Sequence, residues 1–405
     1  MMKKTWIWTA ILLTFLSFSA FGAKEIQIKT GPWRFELRTA NAVVPFIVEL
    51  VYAKKDRLQG KIYNGKEKIP LNDIIYRNNQ LSIPIKNYEI TMELKVDKPH
   101  LMSGSLVRHN KNPKSKTSIV ATHGHKTRYS GSKLKPSVDI SGRWLFEITE
   151  TDGKKAPAVG IFTQNKNYVT GSILTLTGDY RFMEGYVSDN NFELASFDGV
   201  YNYVFRGTVV KDKLQASILS NSAIHVLGQK DPKAVLPSPY NQTSINKLVF
   251  MFPDLKGNHV NLNHPKFKDK PVIVQIFGSW CPNCLDEMEF LIPWYNENNK
   301  QGIEVIALAF ERSLSVIEAK RQLIKTKRKL DVPYTILHAG STAEDKPADL
   351  IKGLENFISF PTTIFLNRKH EVVKVHAGFS GPGTGEFFEK WKEEFDDIVG
   401  ELLKK

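Results

Sequence analysis

The chain of 405 residues contains two cysteines, Cys281 and Cys284, and both fall within FGSWCPNC at 277–284. A thiolate attacks disulfides, and a second thiol two residues away can resolve the mixed disulfide that results. Other uses of the pair fit poorly. A structural zinc site needs four ligands, and there is no second Cys pair. Haem attachment needs His after the second Cys, and position 285 is Leu. A lone catalytic cysteine would not need Cys284. A disulfide enclosing only two residues removes little chain entropy, so it makes a poor staple. The pair is therefore read as a dithiol that passes electrons, with no cofactor beyond the Cys281–Cys284 disulfide and no metal. His123-Gly124-His125 lacks further ligands at useful spacing and is read as a turn.

Such a pair needs a strand-to-helix junction. PVIVQIFGS (271–279) reads as a strand buried on both faces, and the residues from the cysteines to Asn299 read as a helix. Cys281 then sits where free backbone N–H groups and the helix dipole favour an anion, which lowers its pKa. Pro282 suits the first turn, and Cys284 lies one turn further in. Strands IEVIALAF (303–310), YTIL (334–337), TTIFL (362–366) and EVVKVH (371–376) follow, interleaved with helical stretches, the last from about Glu386 to Leu403. This order predicts an α/β sheet closed by an antiparallel pair. GFSGPGTG (378–385) lacks the Lys-Ser/Thr ending of a phosphate loop and is read as a structured turn, with Thr384 capping the last helix.

The residues before this region have a different rhythm. WRFEL, FIVEL, YEITMEL and YVFRGTVV alternate apolar and polar residues, as half-buried strands do. Trp33, Phe35 and Glu36 recur as Trp144, Phe146 and Glu147; Gly60 and Ile62 recur as Gly171 and Ile173. The near-constant offset predicts a duplicated β unit, built as two small sandwiches or barrels or closed as one larger barrel. The expected fold class is multidomain: an all-β N-terminal region of two repeats, then an α/β domain. The expected boundaries are a signal peptide at 1–22, β repeats at 23–110 and 138–228, and a basic connecting loop at 111–137. A Pro-rich linker at 229–247 then leads to the α/β domain at 248–405. Turns at Gly178–Phe182 and Phe197–Gly199 join strands and could line a binding surface.

Lys3 and Lys4, an apolar run of about fifteen residues and small residues at 20 and 22 have the layout of a secretory signal. Export to the periplasm is expected, with a membrane tether if the segment stays uncut. The net charge is +14, or +12 after cleavage, from 54 Lys+Arg against 42 Asp+Glu. The basic residues are spread along the chain, so no nucleic-acid partner is expected.

The hairpin FPDLKGNHVNL, VIVQIFGSWCPNC, SFPTTIFL and the terminal hairpin and helix together resemble the thioredoxin fold, in its exported TlpA/ResA-like branch. The resemblance implies a thiol–disulfide oxidoreductase, with reduction of client disulfides as the expected direction. It implies a cis bond before Pro361, with Trp280, Phe360 and Pro361 at the client-binding face. Position 275, where cytoplasmic relatives carry a buried aspartate, is Gln275. Glu287, three residues after the second Cys, matches the branch's glutamate and is the expected proton relay beside Cys284. Glu311, closing its strand, is a weaker candidate. Expected partners are disulfide-containing clients and a membrane-embedded thiol electron donor, with self-association through the β units as a further contact. Two other readings remain: a thiol peroxidase on the same fold, though the proline expected before the reactive Cys is absent, and a β binding protein with a passenger redox domain.

Overall fold

The computed structural model describes residues 25–54, 57–85, 88–109, 115–129, 135–237, 247–354 and 357–404. The signal segment 1–22 lies outside the described residues, as do parts of the basic loop and the linker.

The first unit contains β1 (Gly31–Arg38), β2 (Val43–Lys54), β3 (Arg57–Asn64), β4 (Glu67–Leu71), β5 (Ile75–Arg77), β6 (Gln80–Ile85), β7 (Ile90–Lys98), β8 (Leu101–Arg108) and β9 (Ser115–His123). Their order is β4-β3-β2-β1-β9-β8-β7-β6-β5, and the printed pairings are antiparallel, giving an up-and-down barrel open between β4 and β5. The unit runs further than its expected end at 110. Ser115–His123, placed by the sequence in a connecting loop, is β9, which closes onto β1 and β8. Only Ile119 and Ala121 of this strand face the core, so its alternation is hidden in a polar, basic run. His123 is held locally, with Nε2 2.8 Å from the Thr30 carbonyl and its ring edge-on to Trp33.

The second unit contains β10 (Gly142–Thr149), β11 (Lys155–Asn165), β12 (Tyr168–Thr175), β13 (Gly178–Asp179), β14 (Met183–Ser188), β15 (Asn191–Phe197), β16 (Asn202–Val210), β17 (Lys213–Leu219) and β18 (Ala223–Lys230). β10 pairs with both β11 and β18, and β11 with β12, so this barrel closes. Two separate barrels are thus the form the duplicated unit takes. The repeated residues are equivalent in space. Trp33 and Trp144 are both fully buried, and each indole N–H donates at 2.9 Å to the carbonyl four residues back. A Cβ on Gly60 or Gly171 would meet a neighbouring-strand carbonyl, at 2.7 and 2.2 Å respectively.

Arg128 joins the barrels. It is 2% exposed. Its guanidinium donates to the carbonyls of Pro45 and Tyr63 and the side chain of Asn64 in the first barrel. On the other side it donates to the Ala195 carbonyl at 2.7 Å and to Glu184 at 2.7 Å.

The third unit contains a short hairpin, β19 (Phe252–Pro253) and β20 (His259–Val260), then β21 (Val272–Phe277), β22 (Glu304–Glu311), β23 (Thr335–Ser341), β24 (Thr362–Leu366) and β25 (Val372–Ala377). Its helices are α1 (Pro282–Asn298), α2 (Val316–Leu330), α3 (Pro347–Leu350) and α4 (Glu386–Lys404). The sheet order is β23-β22-β21-β24-β25, with β21 to β23 parallel and β24 and β25 antiparallel. All six residues of β21 are buried, because apolar clusters cover both faces of the sheet. This is the thioredoxin-like arrangement.

The second barrel docks on this unit through the turn 176–182. The Asp179 carbonyl accepts from Asn283 Nδ2 at 3.2 Å, and its carboxylate accepts from the Gly381 N–H at 2.6 Å. Arg181 pairs with Asp286 at 3.0 Å and with Glu67 of the first barrel. The glycine-rich stretch 378–385 lies against this turn: a Cβ on Gly378 or Gly383 would approach its backbone to 2.8 Å. Thr384, the expected cap of α4, instead donates its hydroxyl to the Gly381 carbonyl at 2.7 Å, within the same docked loop.

Arg128→Met is expected to cost about 3–5 kcal/mol, because it leaves Glu184 without its cation and buried acceptors at Ala195 and Asn64 without that donor; urea unfolding measures it. A Cβ on Gly178 would come within 2.0 Å of Asn283. Gly178→Val is therefore expected to push the turn off Asn283 and speed iodoacetamide alkylation of the reduced cysteines about tenfold, a change of about 1.4 kcal/mol.

Candidate functional site

β21 delivers the chain to the site and α1 receives it. Cys281 is the N-cap of α1, with extended backbone, and Pro282 holds the first helical position. The Cys284 backbone N–H donates to Cys281 Sγ at 3.3 Å, and the same donor would face a Cys281 thiolate once the disulfide is reduced. The two cysteines form a disulfide with Cα atoms 5.3 Å apart. Cys281 is 3% exposed and Cys284 is fully buried. Pro282 and Asn283 are buried as well, beneath the turn described above.

The loop before the cysteines is fixed at several points. Gly278 leaves room for the Trp280 ring, which a Cβ there would meet at 2.2 Å. The Trp280 indole N–H donates to the Phe310 carbonyl at 2.9 Å, and the ring stands edge-on to Phe360 at 5.4 Å. Arg312 lies over the same ring, 4.3 Å from its centroid. Glu311 accepts from the Ser279 N–H at 2.9 Å and the Ser279 hydroxyl at 2.7 Å, so it braces this loop. Burial pushes its carboxyl above the usual range, against those hydrogen bonds.

The Phe360–Pro361 bond is cis. The Phe360 carbonyl lies 3.7 Å from Cys281 Sγ and can accept from that thiol once the disulfide is reduced. Trp280, Phe360 and Pro361 are thus gathered around Cys281.

Glu287 is fully buried beneath Cys284 on α1. Residues 273, 275 and 277 of β21 face α1, and the register sets Thr363 of β24 beside Gln275. Glu287 accepts from Gln275 Nε2 and from the Thr363 hydroxyl, both at 2.7 Å. The Gln275 amide also lies 3.4 Å from the Cys284 carbonyl. Burial raises the Glu287 carboxyl to about 7, the two hydrogen bonds opposing that rise.

Sequence reasoning missed the residues that cover this centre. Asp179 and Arg181 fall in a stretch that reads as an ordinary turn, and Tyr88 of the first barrel packs against the core that contains both cysteines. The available signal was polar residue type: Asp and Arg beside glycine in a strand connection. Burial pushes the Asp179 carboxyl up to about 6, against the hydrogen bonds it accepts from the Arg181 N–H and the Gly381 N–H.

The Redoxin family matches residues 236–387. The thiol-disulfide oxidoreductase ResA of Halalkalibacterium halodurans is 31% identical over 151 residues, which is 37% of this chain and 73% of that protein. The sporulation thiol-disulfide oxidoreductase A of Bacillus subtilis is 25% identical over 146 residues, 36% of this chain and 79% of the relative. Among solved structures, a thioredoxin family thiol:disulfide interchange protein from Chlorobium tepidum covers 40% of this chain and 99% of its own, at 17% identity and a TM-score of 0.31. The two barrels lie outside the matched span. Through its third unit, with the dithiol at the head of α1, the chain belongs to the ResA-like thiol-disulfide oxidoreductases.

Proposed function

We propose that the chain is an exported reductase of client-protein disulfides that works through Cys281 and Cys284. The observation that carries this reading is the disulfide at the head of α1, with the Cys284 N–H directed at Cys281 Sγ. In the reduced enzyme the Cys281 thiolate attacks one sulfur of a client disulfide. The client's other sulfur leaves as a thiolate and takes up a proton. Cys284, deprotonated, then attacks Cys281 Sγ and releases the second client thiolate, leaving the enzyme disulfide seen here. Two electrons have moved to the client. A membrane-embedded thiol donor would return them.

Glu287 is the proposed acceptor of the Cys284 proton. It shares α1 with Cys284 and is buried, and its carboxyl is poised near neutrality. Trp280, Phe360 and the cis Pro361 form the proposed client face, where an extended segment would add to the backbone at Phe360. The docking of turn 176–182 on Asn283 supports a role for the barrels in governing approach to the dithiol. No helix among the described residues is long and apolar enough to cross a membrane.

Cys281→Ser is expected to abolish insulin-disulfide reduction with dithiothreitol as donor, to below about 1% of wild type, since the attacking atom is gone. Cys284→Ser should instead accumulate trapped client complexes, visible on non-reducing gels. Wild-type turnover in both variants would end the proposal.

The second test uses pH. The Glu287 carboxyl is raised in the fold, so its protonated form stabilises the native state. That contribution is full below the unfolded value near 4.5 and is lost as pH rises through about 7. Glu287→Gln should therefore gain stability relative to wild type by roughly 3 kcal/mol between pH 4 and pH 8. The same variant should lose the inflection near neutrality in the pH–rate profile of mixed-disulfide resolution.

A further inference from the structure

A cleft of about 640 Å³ runs between the first barrel and the redox unit, and it reaches Ser279 and Trp280, the two residues before the attacking cysteine. Tyr88 and Arg108 line it from the first barrel, Val200 from the second, and Arg312 from the redox unit. Its size is that of a small-ligand or peptide-segment site.

Three guanidiniums line this space: Arg108 from the first barrel, and Arg312 and Arg321 from the redox unit. Arg108, at the end of β8, donates from Nη2 to the Val200 carbonyl at 3.1 Å. Arg312, just past β22, lies over Trp280. Among the described residues neither has a carboxylate within salt-bridge distance. Desolvation lowers the pKa of both; on Arg108 Asp198 opposes that effect and Arg312 adds to it, and on Arg312 Tyr201 and Glu311 oppose it. Asp198 and Glu311 offset part of this without forming an ion pair with either guanidinium, and an incoming carboxylate would supply the direct pairing that neither arginine has.

The lining also holds three acids, Glu89, Glu311 and Glu318. Glu311 spends both oxygens on Ser279. Glu318 accepts from the Ser313 hydroxyl at 2.8 Å. Glu89 lies close enough to Glu311 to help push that carboxyl up. Arg321 lies on α2, the helix that carries Glu318; Arg108 and Arg312, close enough to act on one another, are the pair taken as an anion's landing point.

We propose that this cleft is a client subsite for a carboxylate: an Asp or Glu side chain near the client's disulfide bridges Arg108 and Arg312 while the client sulfur meets Cys281. The inference rests on the reductase reading and adds the chemical class of client. Guanidinium suits the task, because its planar fork grips a carboxylate through paired N–H groups. The first barrel then has a function at the site, since it supplies one of the two arginines.

The test uses pre-reduced full-length enzyme and three otherwise identical disulfide-linked peptides, with Glu, Gln or Lys two residues from the cysteine. The second-order rate of enzyme oxidation is followed by stopped-flow tryptophan fluorescence. The Glu peptide is expected to react about tenfold faster than the Gln peptide, the size of one charged hydrogen-bonded contact, and the preference should shrink as salt rises. In Arg108→Gln/Arg312→Gln the ratio of Glu to Gln rates should fall to about one. In Arg108→Glu it should tip towards the Lys peptide. Equal rates for all three peptides with wild type would overturn the subsite and leave the reductase reading standing. A Glu preference that survives in the double variant would also overturn it. Failure to oxidise the enzyme with any peptide would remove the reductase reading first, and the subsite with it.

Discussion

A guanidinium taken out of water costs several kcal/mol unless carboxylates meet it. Arg181 is met by one from each folded unit: Glu67 from the first barrel, Asp198 from the second, and Asp286 from α1. The cluster is complete only when all three units are together. Asp286 lies two residues beyond Cys284, so the requirement extends to the helix that carries the dithiol. Three acids around one cation leave negative charge in excess, and burial pushes the Asp198 and Asp286 carboxyls above their usual range. Separating the units would rehydrate those groups. The contact is thus held by a balance of pairing against desolvation, the kind of balance that a change of a few kcal/mol can tip.

The glycine-rich stretch 378–385 follows from the same docking. Backbone can approach backbone closely only where no Cβ intervenes. Gly378, Gly381 and Gly383 face Leu176 to Phe182 of the second barrel, where a Cβ on any of them would come within 3.0 Å of a turn atom. Gly178 answers from the other side, opposite Asn283. A pattern that looks like a phosphate cradle is therefore the seam between two polypeptide surfaces. The dipeptide between the cysteines is buried as a result.

Much of this was legible in the sequence, and the unread part has a common cause. The dithiol and its helix lie in local stretches whose residue order reflects their own secondary structure, and Glu287 and Pro361 were singled out through the family resemblance that those stretches carry. The duplicated barrel was legible because Trp33 and Trp144 perform the same internal task. What stayed hidden is pairing between distant segments. Arg128 sits in a basic run, where one more cation carries no signal, yet it is the one that five partners bury. The strand Ser115–His123 was lost in that same run for lack of apolar residues. Arg181 and Asp179 read as turn residues because their partners in the other two units, Glu67, Asp286 and Asn283, lie more than a hundred residues away.

The surroundings of Glu287 show how a buried acid can be kept near neutral pKa. An adjacent cation would pull the carboxyl down and fix it ionised; a wholly apolar pocket would push it up and fix it protonated. Here the partners are neutral. Gln275 and Thr363 each offer one hydrogen bond, enough to offset part of the desolvation and no more. The buried Gln275 Oε1, which has no partner of its own, adds a second polar atom beside the acid. Replacing the aspartate of cytoplasmic relatives by Gln275 therefore has a structural logic. The strand supplies the hydrogen bond, the helix supplies the acid, and only one of the two facing positions carries charge. An acid at both positions would put two carboxyls in one buried site, and they could not both ionise near pH 7. The arrangement sets one buried acid beneath Cys284, the group that the proposed proton transfer at the resolving step would use.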